Sequence, residues 1–317
     1  LTVIGTRIGI DENGLGSHLG PLVVTSVSAH VTQKDSGRRA RGSADLSSEF
    51  IATSAFLDDS KRLVSHNDVR LGEAWTRVLV GAEATSPAEL VRALTLYPLD
   101  ELQAPCPAHM HSQCWEGRNE GFEASDELIR SVVEMRERLA DAGLRVTQAF
   151  SALHCTRRLN QELARGNHRF LVDLHAMERL ILAHHAQVKH RVVAVCGKVG
   201  GMRDYPKFFG PLGGRLHTVV EQEQSRSIYD FPGLGELRFE QDADARDPLV
   251  MIASLVGKYL RELFMARIAS RYFDEATPAN RPSGYHDKVT QAFVSSTELL
   301  RKQRRVPFDC FERKRAQ

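Results

Sequence analysis

Residues 3–29 read V-I-G-T-R-I-G-I-D-E-N-G-L-G-S-H-L-G-P-L-V-V-T-S-V-S-A, and no other stretch constrains the fold of this chain as strongly. An apolar run ends on two adjacent carboxylates, Asp11 and Glu12. Gly14, Gly16 and Gly20-Pro21 follow, and a β-branched run begins at Leu22. The pattern is strand, acidic pair, tight turn, strand. Two neighbouring carboxylates are costly to bury unless positive charge meets them, and an all-oxygen donor set suits hard divalent cations such as Mg²⁺ or Mn²⁺. Gly14 and Gly16 carry no side chain to hold a phosphate or sugar away from the backbone. The same residues also fit a hairpin tip with its charges in water, so the rest of the chain has to decide.

Composition narrows the class. With 317 residues, 42% of them hydrophobic and 26% charged, the chain is long enough for one large or two ordinary globular domains and is not of a disordered type. No apolar stretch reaches the length of a membrane-spanning helix, and Leu1-Thr2-Val3-Ile4 has no basic leader pattern, so a cytoplasmic monomer without a membrane partner is expected. Because the first residue is Leu, an upstream segment remains open. Five cysteines without a regular framework point to a reducing compartment. A net charge of +2 says little about partners, although the tail through Arg313, Lys314 and Arg315 is strongly basic.

The block Asp11-Glu12-x-Gly14-x-Gly16-x-x-x-Gly20-Pro21, followed by a Val-rich strand, resembles the opening of the type-2 ribonucleases H, ribonuclease HII and its relative HIII. The resemblance implies an α/β, ribonuclease H-like fold: a central mixed β-sheet flanked by helices, with insertions and a C-terminal helical region. It makes Asp11 and Glu12 catalytic residues and ligands of one or two Mg²⁺ or Mn²⁺ ions. Residues 57–63, Leu-Asp-Asp-Ser-Lys-Arg-Leu, resemble a family segment whose serine and lysine lie near the substrate backbone, here Ser60 and Lys61. By spacing alone, Asp59 or Ser60 could instead cap the following helix, which is expected to run to about Val80.

Further along, helical spacing covers residues 125–142, a strand is expected over 144–150, and a helix over 170–187 carries Leu174, Met177, Ile181 and His184 on one stripe. His184 and His185 read as helix-surface histidines. Residues 192–198, V-V-A-V-C-G-K, read as the buried central strand. The family strand in this place ends in Asp-Gly, which puts Cys196 at the position of a lost family acid. A soft, neutral thiol does not replace an oxygen ligand for Mg²⁺. Lys198 either fills part of that charge vacancy or contacts phosphate, and a carboxylate from Asp204, Glu221 or Glu223 is another possible substitute. Asp244 stands at the family's fourth acid, with Asp242 as near competitor, ahead of a long amphipathic helix whose stripe is Ile252, Val256, Tyr259, Leu263 and Arg267. Ala253, Ser254 and Gly257 allow close packing at its start. The segment Gly284-Tyr285 resembles one whose tyrosine stacks beneath the sugar at an RNA to DNA junction, and a helix to about Arg305 follows.

Two stretches, about 84–123 and 200–232, are insertions relative to the family, the second with a strand over 215–221. The first holds Cys106, His109, His111 and Cys114, which, with His154 and Cys155 nearby in sequence, fit either a structural Zn²⁺ site or ordinary loop residues. The resulting layout is a catalytic core over 1–270 and a basic, substrate-contacting helical segment over 271–317. The implied activity is endonucleolytic hydrolysis of the RNA strand of RNA/DNA hybrids by two-metal catalysis. Asp11, Glu12 and Asp244 act on the metals, and Gly14, Leu15, Gly16, Ser60, Lys61 and Tyr285 act on the substrate. Leu15 stands where the family's Gly-Arg-Gly has arginine, which weakens junction reading. The alternative is an impaired descendant that binds hybrid or structured nucleic acid without efficient cleavage.

Overall fold

The computed structural model describes residues 2–33, 68–109, 113–117, 120–199, 201–273 and 281–314, so Ser60, Lys61, His111 and Arg315 lie outside the described residues. The strands are β1 (Thr2–Asn13), β2 (Leu22–Gln33), β3 (Leu144–His154), β4 (Val192–Gly197), β5 (Thr218–Gln222), β6 (Arg226–Phe231) and β7 (Gly235–Glu240). They form one seven-stranded sheet in the order β3-β2-β1-β4-β7-β6-β5. β1, β4 and β7 run parallel, while β2 is antiparallel to both β1 and β3, and β6 to both β7 and β5. This is the α/β class with a mixed sheet flanked by helices. The second insertion supplies β5 and β6, an antiparallel edge that widens the sheet.

Alternation along β1 sorts its side chains between two cores. Ile8 and Ile10 pack with α6 (Arg169–Val188), where Leu174, Met177 and Ile181 form the expected stripe. On the other face, Gly9 lies so close to α7 (Pro248–Ser270) that an added Cβ would sit 2.3 Å from the Val250 nitrogen. That close approach is what the small residues at the start of α7 permit. α7 is not an amphipathic surface helix: 19 of its 23 residues are buried, charged Arg261, Glu262 and Arg267 included. Its Ile252 and Val256 pack with Val23 and Val27 of β2, and its Tyr259 side also meets α1 (Arg70–Val80), where a Cβ on Gly72 would stand 2.4 Å from the Leu255 carbonyl oxygen.

The first insertion folds as α2 (Pro87–Leu94) and α3 (Leu99–Gln103), ahead of α4 (Asp126–Asp141). α5 (Thr156–Ala164) links β3 to α6. In the tail, the single helix expected to run to about Arg305 is two, α8 (Lys288–Ser296) and α9 (Glu298–Gln303), followed by the short α10 (Phe308–Phe311). Phe293 and Phe311 join Leu19, Met265 and Tyr272 in a third cluster that fastens the tail beneath the glycine-rich turn. His184 is not a surface residue. It is 2% exposed, bonds the Ser26 hydroxyl at 2.9 Å, and burial pushes its pKa down to about 4.

Candidate carboxylate site at the end of the central strands

Asp11 and Glu12 close β1 at the middle of the sheet. Asp11 is buried, and its carboxyl is held well above the usual carboxylate range, first by burial and then by the Glu12 charge, with the Ser254 hydroxyl opposing and Asp244 adding to the rise. Asp244 sits in a single 3-10 turn (Ala243–Ala245) between β7 and α7, half-buried, whereas Asp242 is exposed with φ 53°. Of the two, Asp244 is the acid whose charge bears on Asp11. Two of the insertion carboxylates are occupied elsewhere: Asp204 pairs with Lys207 at 3.2 Å and Glu221 with Arg226 at 2.6 Å. Lys198 donates to the Glu223 carbonyl oxygen at 2.9 Å and to the Ser227 hydroxyl at 3.2 Å.

The register of β4 corrects the reading of Cys196. Ile10 pairs with Cys196 across the parallel ladder, so both side chains enter the core beneath α6, and Cys196 is fully buried there. The position beside Asp11 belongs to Gly197. A Cβ on Gly197 would stand 3.5 Å from Asp11 Oδ1 and 3.8 Å from Glu12 Oε2. The two carboxylates thus converge over a glycine, and β4 contributes no acid to them.

The acid that sequence reasoning passed over is Asp173, in the apolar face of α6. It is fully buried, neither carboxylate oxygen has a hydrogen-bond partner, and burial followed by the Asp11 charge drives its pKa well up. The signal was there in V-D-L-H-A-M, a lone carboxylate between apolar residues that face the core. Its folded pKa lies above the unfolded one, so its contribution is most favourable below the unfolded value near 3.9 and is lost as pH rises toward the folded pKa. Asp173→Asn does not titrate. It is expected to gain over the parent as pH rises from about 4, by roughly 1–3 kcal/mol at neutral pH. Thermal unfolding of both proteins at pH 4 and 7.5 checks this, and a difference that does not widen with pH would show that the carboxylate is not destabilised by burial.

The glycine-rich turn is held from behind. Gly14 has φ 89°, and a Cβ there would lie 2.6 Å from Arg261 Nε, so glycine is required; at Gly16 nothing stands within 4 Å of that position and the side toward a ligand is open. Arg313 is not part of a solvated basic tail. It is 3% exposed and donates from Nη1 to the Gly14 carbonyl oxygen at 2.5 Å and from Nε to that of Gly20 at 2.9 Å. Arg169 donates to the Leu15 and Ser17 carbonyl oxygens at 3.3 and 3.0 Å. The Gly284 carbonyl oxygen accepts from the His18 and Leu19 amides at 2.7 and 2.9 Å, which brings Tyr285 beside the turn. Its ring, 44% exposed, lies over the Arg261 guanidinium at 4.6 Å. Tyr285, 274 positions after Asp11 in sequence, therefore shares the neighbourhood of Gly14, Leu15 and Gly16.

Metal fit is incomplete. The donors at Asp11, Glu12 and Asp244 are all oxygens, the right kind for Mg²⁺ or Mn²⁺. Yet among the described residues no three His, Cys, Asp or Glu side chains are grouped closely enough to hold an ion. The same observation leaves the zinc reading of the insertion without support. Cys106 and Cys114 pack against the core, and His109 bonds the Arg305 carbonyl oxygen at 3.2 Å. Among the described residues no helix is long and apolar enough to cross a membrane.

No protein-family model and no curated protein matches the chain. Among solved structures, the RNase HII in the PCNA:RNase HII complex from Archaeoglobus fulgidus is similar over 98% of this chain and 95% of that one, with 14% identity and a TM-score of 0.39. The ribonuclease H2 from Pyrococcus horikoshii OT3 is similar over 96% and 92%, with 14% identity and a TM-score of 0.39. Bst-RNase HIII in complex with Mn²⁺ is similar over 84% and 55%, with 11% identity and a TM-score of 0.37. These likenesses are too distant to carry residue roles across.

Proposed function

We propose that the chain is a ribonuclease H-like protein that engages RNA/DNA hybrids at the Asp11 end of its sheet and hydrolyses the RNA strand slowly, its carboxylate set being one acid short. The observation that carries this reading is the convergence of Asp11 and Glu12 over Gly197 beside the glycine-rich turn against which Gly284 and Tyr285 dock. Asp11, held in place by Ser254, is an acid able to keep a proton at higher pH than an ordinary carboxylate. Tyr285 offers an exposed face, steadied by Arg261, on which a sugar or base stacks. The open side of Gly16 leaves room for a 2′-hydroxyl to reach the backbone, a contact that DNA lacks. With no closed cation site among these residues, the chemistry assigned to them is limited to proton holding, orientation and binding.

A second reading, hybrid binding with no cleavage, is favoured by the missing acid on β4. One experiment covers both: cleavage and binding of a labelled RNA/DNA hybrid by the parent, Asp11→Asn and Tyr285→Ala. Asp11→Asn is expected to lower cleavage about a hundredfold, ~2.7 kcal/mol of barrier. Tyr285→Ala is expected to weaken binding by about 1–3 kcal/mol, the worth of one stacking contact. A parent that binds hybrid but never cuts it establishes the second reading, and cleavage unaffected by Asp11→Asn removes the first.

A further inference from the structure

At the end of β3 the fold builds a cleft of about 430 Å³ that the carboxylate site does not use, lined by residues of α3, α5 and α6. At its inner side lies His154, 7% exposed, with neither ring nitrogen hydrogen-bonded. Burial holds this imidazole down to a pKa of about 3, with the Arg158 and Arg179 charges pushing the same way, so it is neutral and presents one unused N–H and one unused acceptor. Buried polar groups rarely go without partners, and this unpartnered ring borders an open cleft rather than a sealed core.

What surrounds His154 says what that is. Arg158, Arg165 and Arg179 line the cleft with Glu101 and Glu162. Glu162 is already taken, by Arg165 at 2.7 Å and by the Asn167 amide at 2.7 Å. Arg158 donates from one nitrogen to the Glu101 carbonyl oxygen at 2.9 Å and lines the cleft. Arg179 is exposed, and among the described residues it has no hydrogen-bond or ion-pair partner. Planar guanidinium forks bind the oxygens of a phosphate through paired, charge-assisted hydrogen bonds.

We propose that this cleft binds the phosphate group of a nucleotide, held between the Arg158 and Arg179 guanidinium groups with the His154 N–H beneath it. The phosphate has two possible sources, a free mononucleotide or a phosphodiester of a nucleic-acid strand. His154 pairs with Leu22, so β3 finishes at the same end of the sheet as Asp11, two strands over and about 10 Å across, with His154 on the α6 face and Asp11 on the α7 face. A strand lying over that end of the sheet comes within reach of the cleft. The proposal does not rest on hydrolysis.

The test is calorimetric titration of the full chain with inorganic phosphate and with 5′-AMP at constant ionic strength. The parent is expected to bind both, and Arg179→Ala and Arg158→Ala each to weaken binding at least tenfold. Arg179 is exposed, so its replacement leaves the fold intact. On adding phosphate, the ring nitrogen resonances of His154 should shift in the parent. The same titration in Asp11→Asn protein should return the parent's affinity, which keeps a failure here separate from a failure of hydrolysis. Displacement of 5′-AMP by an RNA/DNA hybrid assigns the phosphate to a strand, and simultaneous binding assigns it to a free nucleotide. No binding of either anion, or binding that survives both arginine substitutions, overturns the proposal.

Discussion

Gly197→Asp is expected to raise cleavage of an RNA/DNA hybrid in Mg²⁺ at least tenfold over the parent, ~1.4 kcal/mol of barrier or more. A Cβ at this position stands at ordinary contact distance from Asp11 Oδ1 and Glu12 Oε2, so the new carboxylate enters without displacing backbone. It would complete an oxygen set that β4 leaves short. Three converging carboxylates repel each other when nothing positive lies between them. The metal-free variant should therefore melt below the parent and recover as Mg²⁺ is added, since a ligand that binds only the folded state stabilises it by mass action. Cys196→Asp has the opposite outcome. Its side chain would enter the apolar cluster beneath α6, already pressed by the buried Asp173, and should cost about 3 kcal/mol or more with no gain in cleavage. If Cys196→Asp activates the chain and Gly197→Asp does not, the β4 register described above is not the functional one.

Asp247→Ala is expected to destabilise the chain by about 3–5 kcal/mol, which in a protein of this size lowers the melting temperature by roughly 5 °C or more. Asp247 is 4% exposed and does two things at once. Its Oδ1 accepts from the Leu249 and Val250 amides at 2.8 and 3.2 Å, which caps α7, and its Oδ2 meets the Arg7 guanidinium on β1. Removing it leaves Arg7, only 14% exposed, facing a vacated partner, and opens the first turn of the most buried helix of the fold. A cap alone is worth about 1 kcal/mol. Asp247→Asn, which can still cap α7 but cannot pair with Arg7, should therefore fall between alanine and parent in urea unfolding. A loss below about 1 kcal/mol in Asp247→Ala would show that the ion pair contributes little. Because Asp244 lies three residues before this cap, hybrid cleavage should fall along with stability.

Much of the architecture is written locally. The β1, turn and β2 pattern, α4, α6 and β4 follow from apolar periods of two and of 3.6, from Ser125 ahead of α4, and from glycines where the chain turns. The close seat of α7 on β1 also follows from residue size, since Gly9 and the small residues near Ser254 leave nothing to hold them apart. The third dimension decided the matters that turn on partners distant in sequence. Strand side chains alternate with a period of two, so a one-residue difference in register exchanges the faces, and that is how Gly197 rather than Cys196 comes to lie beside Asp11. Whether a charged residue meets water or a partner depends on what folds over it. Arg313 reads as a tail cation and is a buried clasp on the glycine turn, and Asp173, which sequence reasoning passed over, is a sealed carboxyl under the site. Composition and spacing set which groups are present; burial and register set which of them face one another, and the chemistry follows from the second.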